Sequence, residues 1–418
     1  MVSTGRRSTL FANVELLDPR WEQSRGGHHV LVDGDRIVEV SDRPIAFGAD
    51  RVIDGGGRVL MPGLIDCHVH AFLTIWDLRE LDRTPLTLLA ARAARVLRES
   101  LDRGFTSLRD AGGADWGIKA AIDEGTLRGP RLFIAGRSIG PSGGHNDFRS
   151  RTTSEEPLCR CCNALAYSFC QADSADAVRK ATRENLRLGA HSIKLMMSGG
   201  VASPFDSLES RQLTDDEVSA AVAEAHAFGS YVMAHAYTPD AISRATRLGV
   251  RTIEHGNLLD APTAAQMARA GSFLVANVIA YQCVRDKAAE LGIAPHVLDK
   301  NELVIEGGLR SLEICRTAGV PVGYGTDLIG PLARFQSQEF IVRSAVLSNL
   351  EIIRQATLVG ADILGMTGQL GIVEPGALAD LILLDRHPLK TLDVFLHQGR
   401  EIPMIMKAGS VHKCTIPG

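Results

Sequence analysis

The sequence predicts an α/β protein: a (β/α)8 TIM barrel with a small β-sandwich built from the N- and C-terminal segments. Three observations support this. From residue 59 to 328, eight short apolar runs alternate with amphipathic segments, the rhythm of eight strand–helix units. Several of those runs are continuously apolar, as expected of strands covered on both faces. Both ends lack the rhythm and read as short strands joined by turns. A doubly wound open sheet is the structural alternative; it fits less well, because no Gly-rich phosphate turn is present.

Taken in order, the chain opens with "LFANVELLD" and "HHVLVDGDRIVEVSD", strand-like runs with an Asp-Gly hairpin signal. The barrel runs follow: "VLMPGLIDCHVH", "FTSLRDAG", "RLFIAGRSIG", "HSIKLMMSGG", "YVMAHAYT", "VRTIEHGN", "FLVANVI" and "PVGYGTDL". Among the helical segments are "PLTLLAARAARVLRESLDRG", "SADAVRKATRENLRLGA" and "TDDEVSAAVAEAHAFG", each ending near a glycine stop. In the last, Thr214 and Glu217 form a capping box. The tail, "PGALADLILLD" and "EIPMIMKAGSVHKC", returns to short strands with a turn at Ala408-Gly409. These readings place the sandwich at residues 1–58 and 373–418 and the barrel at 59–372.

Composition narrows the class. With 45% hydrophobic and 22% charged residues the chain is globular. A net charge of −4 gives no electrostatic case for a nucleic-acid partner. No apolar run approaches the ~18 residues of a membrane span. The start carries two arginines but no apolar signal core, so a cytoplasmic protein is expected. Cys159, Cys161, Cys162 and Cys170 cluster without the paired spacing of a structural zinc site, and read as free thiols in a loop ahead of a disulfide or a metal site.

In a barrel of this kind, side chains at the C-terminal strand ends converge on one site. His68 and His70 end the first run, two residues apart and so on one face of a strand. Lys194 lies on the fourth, His235 on the fifth, His255 on the sixth and Asp327 on the eighth. Each alone has a plain structural reading: a packed histidine, a snorkelling lysine, a helix-capping aspartate. Together, four histidines and an aspartate at one barrel end are costly to bury unless something pairs them, and a metal centre does so. Lys194 discriminates further. An ammonium has no lone pair and repels a metal. Its carbamate, formed with carbon dioxide, is an anion with two oxygens that can bridge two cations.

On these residues and on the motifs "GLIDCHVH", "IKLMMSGG", "HAYT", "IEHG" and "GTD", the chain resembles the amidohydrolase superfamily, in its binuclear-metal branch with a carboxylated lysine. The likeness runs from "DGDRIVEV" to "GALADLILLD". It implies that His68, His70 and Asp327 bind one divalent metal ion and His235 and His255 the other, with carboxylated Lys194 bridging; zinc suits these ligands. It further implies that a water activated by coordination attacks a carbonyl. Asp327 would serve as base and then acid, and His145, in "SGGHNDF", would donate to the developing oxyanion.

"GGHNDF", "SGGVASP" and "MAHAYTPDAI" are similar to amidohydrolases acting on Xaa-Pro dipeptides and N-acyl amino acids, and to those that cut ochratoxin at its amide to phenylalanine. Tyr237 is then the candidate to bind a substrate carboxylate, with Arg149 and Arg151 as weaker candidates. Asn146 stands where the commoner "GGHGD" has glycine, which puts specificity in question. The resemblance implies a homo-oligomer, an octamer among its forms, acting on a small-molecule amide. The rivals are a mononuclear deaminase or imidazolonepropionase-like ring hydrolase and a non-catalytic scaffold. A deaminase would carry glutamate at position 238, which is Thr238, and a scaffold would have lost ligands that this chain retains.

Overall fold

A computed structural model describes residues 8–152, 163–203 and 206–416. Cys159, Cys161 and Cys162 lie outside the described residues. Cys170 is half-buried in a short strand, Phe169–Gln171.

Eight parallel strands surround the core. In order they are Leu64–Val69, Phe105–Asp110, Arg131–Ile134 resuming at Ser138–Gly140, Ser192–Met196, Tyr231–Ala236, Thr252–His255, Phe273–Ala276 and Val322–Tyr324. The eighth meets the first through Asp327 N–H and Thr326 N–H, which donate to His68 O at 2.8 and 3.3 Å. Buried Asp66 reinforces this seam, accepting from Thr326 Oγ1 (2.6 Å) and Gln336 Nε2 (2.9 Å). The fold is therefore the expected (β/α)8 barrel.

The third strand departs from the expected continuous run. It breaks at 135–137, where Gly136 has φ +70°. Asn185, from the helix Ala175–Arg187, fills the break, donating to Arg137 O at 2.8 Å and accepting from Arg137 N at 3.3 Å. Only a residue free to adopt positive φ lets the chain turn there without strain.

The helices pack by the expected periodicity. Leu86–Asp102 buries Leu89, Ala93, Leu97 and Leu101, four residues apart, against the barrel. Asp215–Ala227 begins on the Thr214/Glu217 capping box, with both reciprocal bonds formed. Among the described residues, no helix is long and apolar enough to cross a membrane.

Segments from both chain ends form one eight-stranded sheet. Its first strand, Ser8–Leu16, changes neighbour halfway, pairing with Arg51–Asp54 and then with Val59–Pro62. Side chains from across the sheet, including Phe11, Val32, Ile37, Leu383 and Met404, meet in one separate core. A sheet folded over itself into a sandwich does this. One boundary moves. Val59–Pro62, read as the start of the barrel, pairs antiparallel with Leu381–Leu384 in the sandwich, and the first barrel strand begins at Leu64.

The hairpin at Ala408-Gly409 touches the one at Gly34. A Cβ at Gly409 (φ +69°) would lie 1.7 Å from Gly34 O, whereas one at Gly57 (φ +78°) meets nothing within 4 Å. Gly57→Ala should therefore cost about 1–2 kcal/mol, the left-handed penalty alone. Gly409→Ala should cost about 3 kcal/mol or more, because backbone must move. Equal losses in urea denaturation would mean that the two hairpins are not in contact.

Candidate metal centre

The first strand carries His68, and His70 follows just beyond its end at Val69, after a slip in the pairing register between Asp66 and Val69. His68 Nδ1 lies 2.6 Å from Glu254 Oε2, and His70 Nδ1 lies 2.8 Å from Gly112 O. With both Nδ1 atoms donating to oxygen, both Nε2 atoms carry lone pairs. Those two nitrogens are 3.3 Å apart, and Asp327 Oδ1 is 3.4 Å from His68 Nε2 and 3.1 Å from His70 Nε2. The three ligand atoms all lie within 4.8 Å of one another, a compact N,N,O set of the kind divalent zinc takes.

The other histidines complete the ring. His235 Nε2 is bonded to Gly199 O at 3.0 Å, which leaves Nδ1 for the cavity. His255 Nδ1 is 3.1 Å from Asn277 Oδ1, 3.0 Å from Tyr281 Oη and 3.8 Å from Asp327 Oδ2. The His235 and His255 ring centroids are 4.4 Å apart, and those of His68 and His255 5.0 Å. Burial drives the pKa of both His235 and His255 well below the usual imidazole range, so both rings are neutral and able to ligate. For Asp327, burial acts upward, but its contacts with His68 and His70 hold the carboxyl well below its usual range.

His255 and Asp327 have φ of +75° and +51°. Such backbone is strained for residues with a Cβ, and here both side chains turn inward at strand ends.

Lys194 is 1% exposed and lines the same cavity. Burial lowers its pKa to about 8. Among the described residues no carboxylate forms an ion pair with its Nζ. Glu254 and Asp327 act on it through space, against the effect of burial. The donor set fits divalent metal.

Below the ring lies a buried ion chain that sequence reasoning missed. Arg109 Nη2 donates to both Glu254 oxygens (2.8 and 2.9 Å), its Nε to Cys67 O (2.6 Å) and its Nη1 to Thr252 Oγ1 (3.0 Å). Burial acts upward on Glu254, yet Arg109 and then His68 hold it as a carboxylate far below the usual range. It orients His68 and sets its tautomer.

His145 follows the third strand. Its ring stacks on His235 with centroids 4.1 Å apart, and its Nδ1 is buried without a hydrogen bond. A Cβ at Gly200 would come within 2.0 Å of that ring, so the glycine makes the seat. Burial lowers the His145 pKa to about 4. Tyr237 is buried rather than at a rim: it stacks on His255 at 5.1 Å and its hydroxyl meets that of Tyr281 at 2.8 Å. Asn146 is also buried, its amide tied to Ser138 O and Cys170 O, so it anchors the loop. Thr238 caps the helix Pro239–Arg247.

The two arginine candidates do not reach the site. Arg149 is bound through Nε and Nη2 to Asp147 at 2.7 and 2.6 Å, and neither Arg149 nor Arg151 lines the cavity. The cleft is walled by Trp76, Phe148, Phe169, Met196, Val201 and Leu332 among others. It offers an apolar surface around one polar, metal-fitting centre, as small-molecule sites do.

This combination of barrel and strand-end donors gathered in one cleft fits a metal-dependent enzyme. The Amidohydrolase family model matches residues 59–411, and the chain belongs to that family; with the ochratoxinase and prolidase relatives that follow, this makes it a hydrolase acting on amide bonds. Ochratoxinase of Aspergillus niger is 29% identical over 372 residues, covering 85% of this chain and 76% of that protein. The crystal structure of A. niger ochratoxinase matches with a TM-score of 0.86 at 26% identity, covering 99% of this chain and 97% of that one. A prolidase solved with N-methylphosphonate-L-proline is 44% identical with a TM-score of 0.94, covering 98% of this chain and all of that one.

Arg109→Met leaves Glu254 buried without its cation and should cost about 3–5 kcal/mol in urea denaturation. Adding Glu254→Gln should recover part of that loss, because the two groups are coupled. A single-variant loss near zero would show that Glu254 is not held as a buried ion.

Proposed function

We propose that this chain is a binuclear metal-dependent amidohydrolase that cleaves the amide of a carboxylate-bearing N-acyl amino acid or dipeptide. Ochratoxin A, cut to ochratoxin alpha and phenylalanine, falls within that class. The observation that carries this reading is Lys194, a buried amine set among four imidazoles and Asp327 with no ion pair from a described carboxylate.

A pKa of about 8 leaves a useful share of neutral amine near neutral pH. Its nitrogen lone pair adds to the carbon of CO2 and one proton leaves to solvent, giving the carbamate. In this reading His68, His70 and Asp327 would hold one divalent ion and His235 and His255 the other, with carboxylated Lys194 as a further ligand; zinc suits the donors. Such ions supply Lewis acidity toward the scissile carbonyl and make water acidic enough to attack near neutral pH.

The side chains do the rest. Asp327, held between two imidazoles, takes the proton from the attacking water and delivers it to the leaving nitrogen. His145 is neutral, and its ring faces the cleft; it donates to the oxygen as negative charge develops there. The Tyr237 hydroxyl, at the apolar wall, binds the substrate carboxylate. The prolidase and ochratoxinase relatives support this class, since a prolyl compound and ochratoxin each carry a free carboxylate.

Elemental analysis should find two metal ions per chain in wild type. Lys194→Ala should lose metal and more than about a hundredfold in kcat/KM on Xaa-Pro dipeptides and ochratoxin A. Unchanged metal and activity in that variant would remove the bridging carbamate. Separately, Tyr237→Phe should raise KM for carboxylate-bearing substrates by about tenfold, one lost hydrogen bond to a charged group. An equal loss on a neutral amide would count against that role.

A further inference from the structure

Lys300 takes no part in the proposed chemistry, yet its surroundings are unlike those of a surface lysine. It lies in the second turn of the helix Pro295–Ala318, with its side chain 17% exposed. Its ammonium donates to three backbone carbonyls of one loop: Gly200 O (3.1 Å), Ser203 O (3.0 Å) and Asp206 O (2.5 Å). That uses all three of its donors. Asp206 Oδ1 lies 3.7 Å away.

The loop so held follows the fourth strand and touches the reaction site twice. Gly199 O accepts from His235, and Gly200 is the seat of the His145 ring. A second path runs through side chains. Gln212 Nε2 donates to Asp206 Oδ2 at 2.7 Å, and Gln212 Oε1 accepts the His145 backbone N–H at 3.0 Å. Ser203 Oγ also donates to Asp206. His145 is thus held at its ring by Gly200 and at its backbone by Gln212, and both supports lead back to one ammonium. The same helical turn steadies the opposite wall, since Asn301 Nδ2 donates to Tyr281 O at 3.0 Å.

We propose that Lys300 is a positioning residue for amide hydrolysis: it clamps the loop after the fourth strand and, through Gly200 and through Asp206–Gln212, fixes His145 against His235. The inference rests on the role proposed above for His145. Three carbonyls converging on one loop interior need donors, and an ammonium supplies them without a bound ion.

The test uses full-length, metal-loaded protein carrying Lys300→Met, Gln212→Met or both, assayed on an Xaa-Pro dipeptide and on N-acetyl-L-phenylalanine. Lys300→Met should keep the wild-type metal content while kcat falls about 10- to 100-fold and KM stays within about threefold. Amide exchange at 143–148 and 206–212 should quicken by about tenfold or more. The double variant should lose no more than Lys300→Met alone, because the Gln212 support already depends on the loop that Lys300 holds. If Lys300→Met does not fold, Lys300→Arg carries the same comparison, since a planar fork cannot serve three converging carbonyls as an ammonium does.

Unchanged exchange would overturn the clamp. A loosened loop with unchanged kcat, or fully additive losses, would overturn its positioning role. If wild type cleaves neither probe, the functional reading falls separately, and the exchange comparison still decides the clamp.

Discussion

Inside the barrel, Arg109 and Glu254 neutralise each other with no exposure to water, and one oxygen of that carboxylate also accepts from His68. Such a pair is costly to bury and is kept only where its geometry is tightly matched. Arg109 comes from the second strand, Glu254 and Thr252 from the sixth, and Cys67 O from the first. The pair therefore ties three strands across the interior while it fixes one imidazole. Asp66 does related work at the seam, joining the first strand to Thr326 beside Asp327. His68 and Asp327 stand on these two buried carboxylates.

The loops divide the labour differently. Strand ends deliver His68, His70, Lys194, His235 and His255, and rigid strands place them more accurately than loops would. His145 and the apolar wall come from loops, so they need supports of their own: the missing Cβ at Gly200, the Gln212 amide and the Asn146 anchor. Where backbone is strained, at His255 and Asp327, the strain falls on groups that must face inward at a strand end.

Much of this was legible in the sequence, for physical reasons. Alternation of apolar runs with amphipathic helices gives a barrel, and a barrel gathers strand-end side chains, so His68 and Asp327 could be paired although 259 positions separate them. The Asp66 carboxylate was not placed by strict alternation, because the pairing register slips between Asp66 and Val69. Nor was Glu254. Strict alternation turns it away from a site that contains His255, and both face inward because φ at His255 is positive. The break in the third strand was similarly hidden: Gly136 signalled it, but the Asn185 side chain that fills it comes from a helix far along the chain. Tyr281 and Lys300 sit on helices whose register against the cleft no local pattern reveals. For Arg149, a charge near a motif says nothing of its partner, which is Asp147.

The central claim is that Lys194 serves as a carbamate between two metal ions. The most direct measurement is a crystal structure of zinc-loaded protein with anomalous scattering recorded at the zinc edge. The account predicts two anomalous peaks, one against His68, His70 and Asp327 and one against His235 and His255, with density for a planar three-atom group continuing from Lys194 Nζ between them. A single peak with a bare Lys194 ammonium would contradict it.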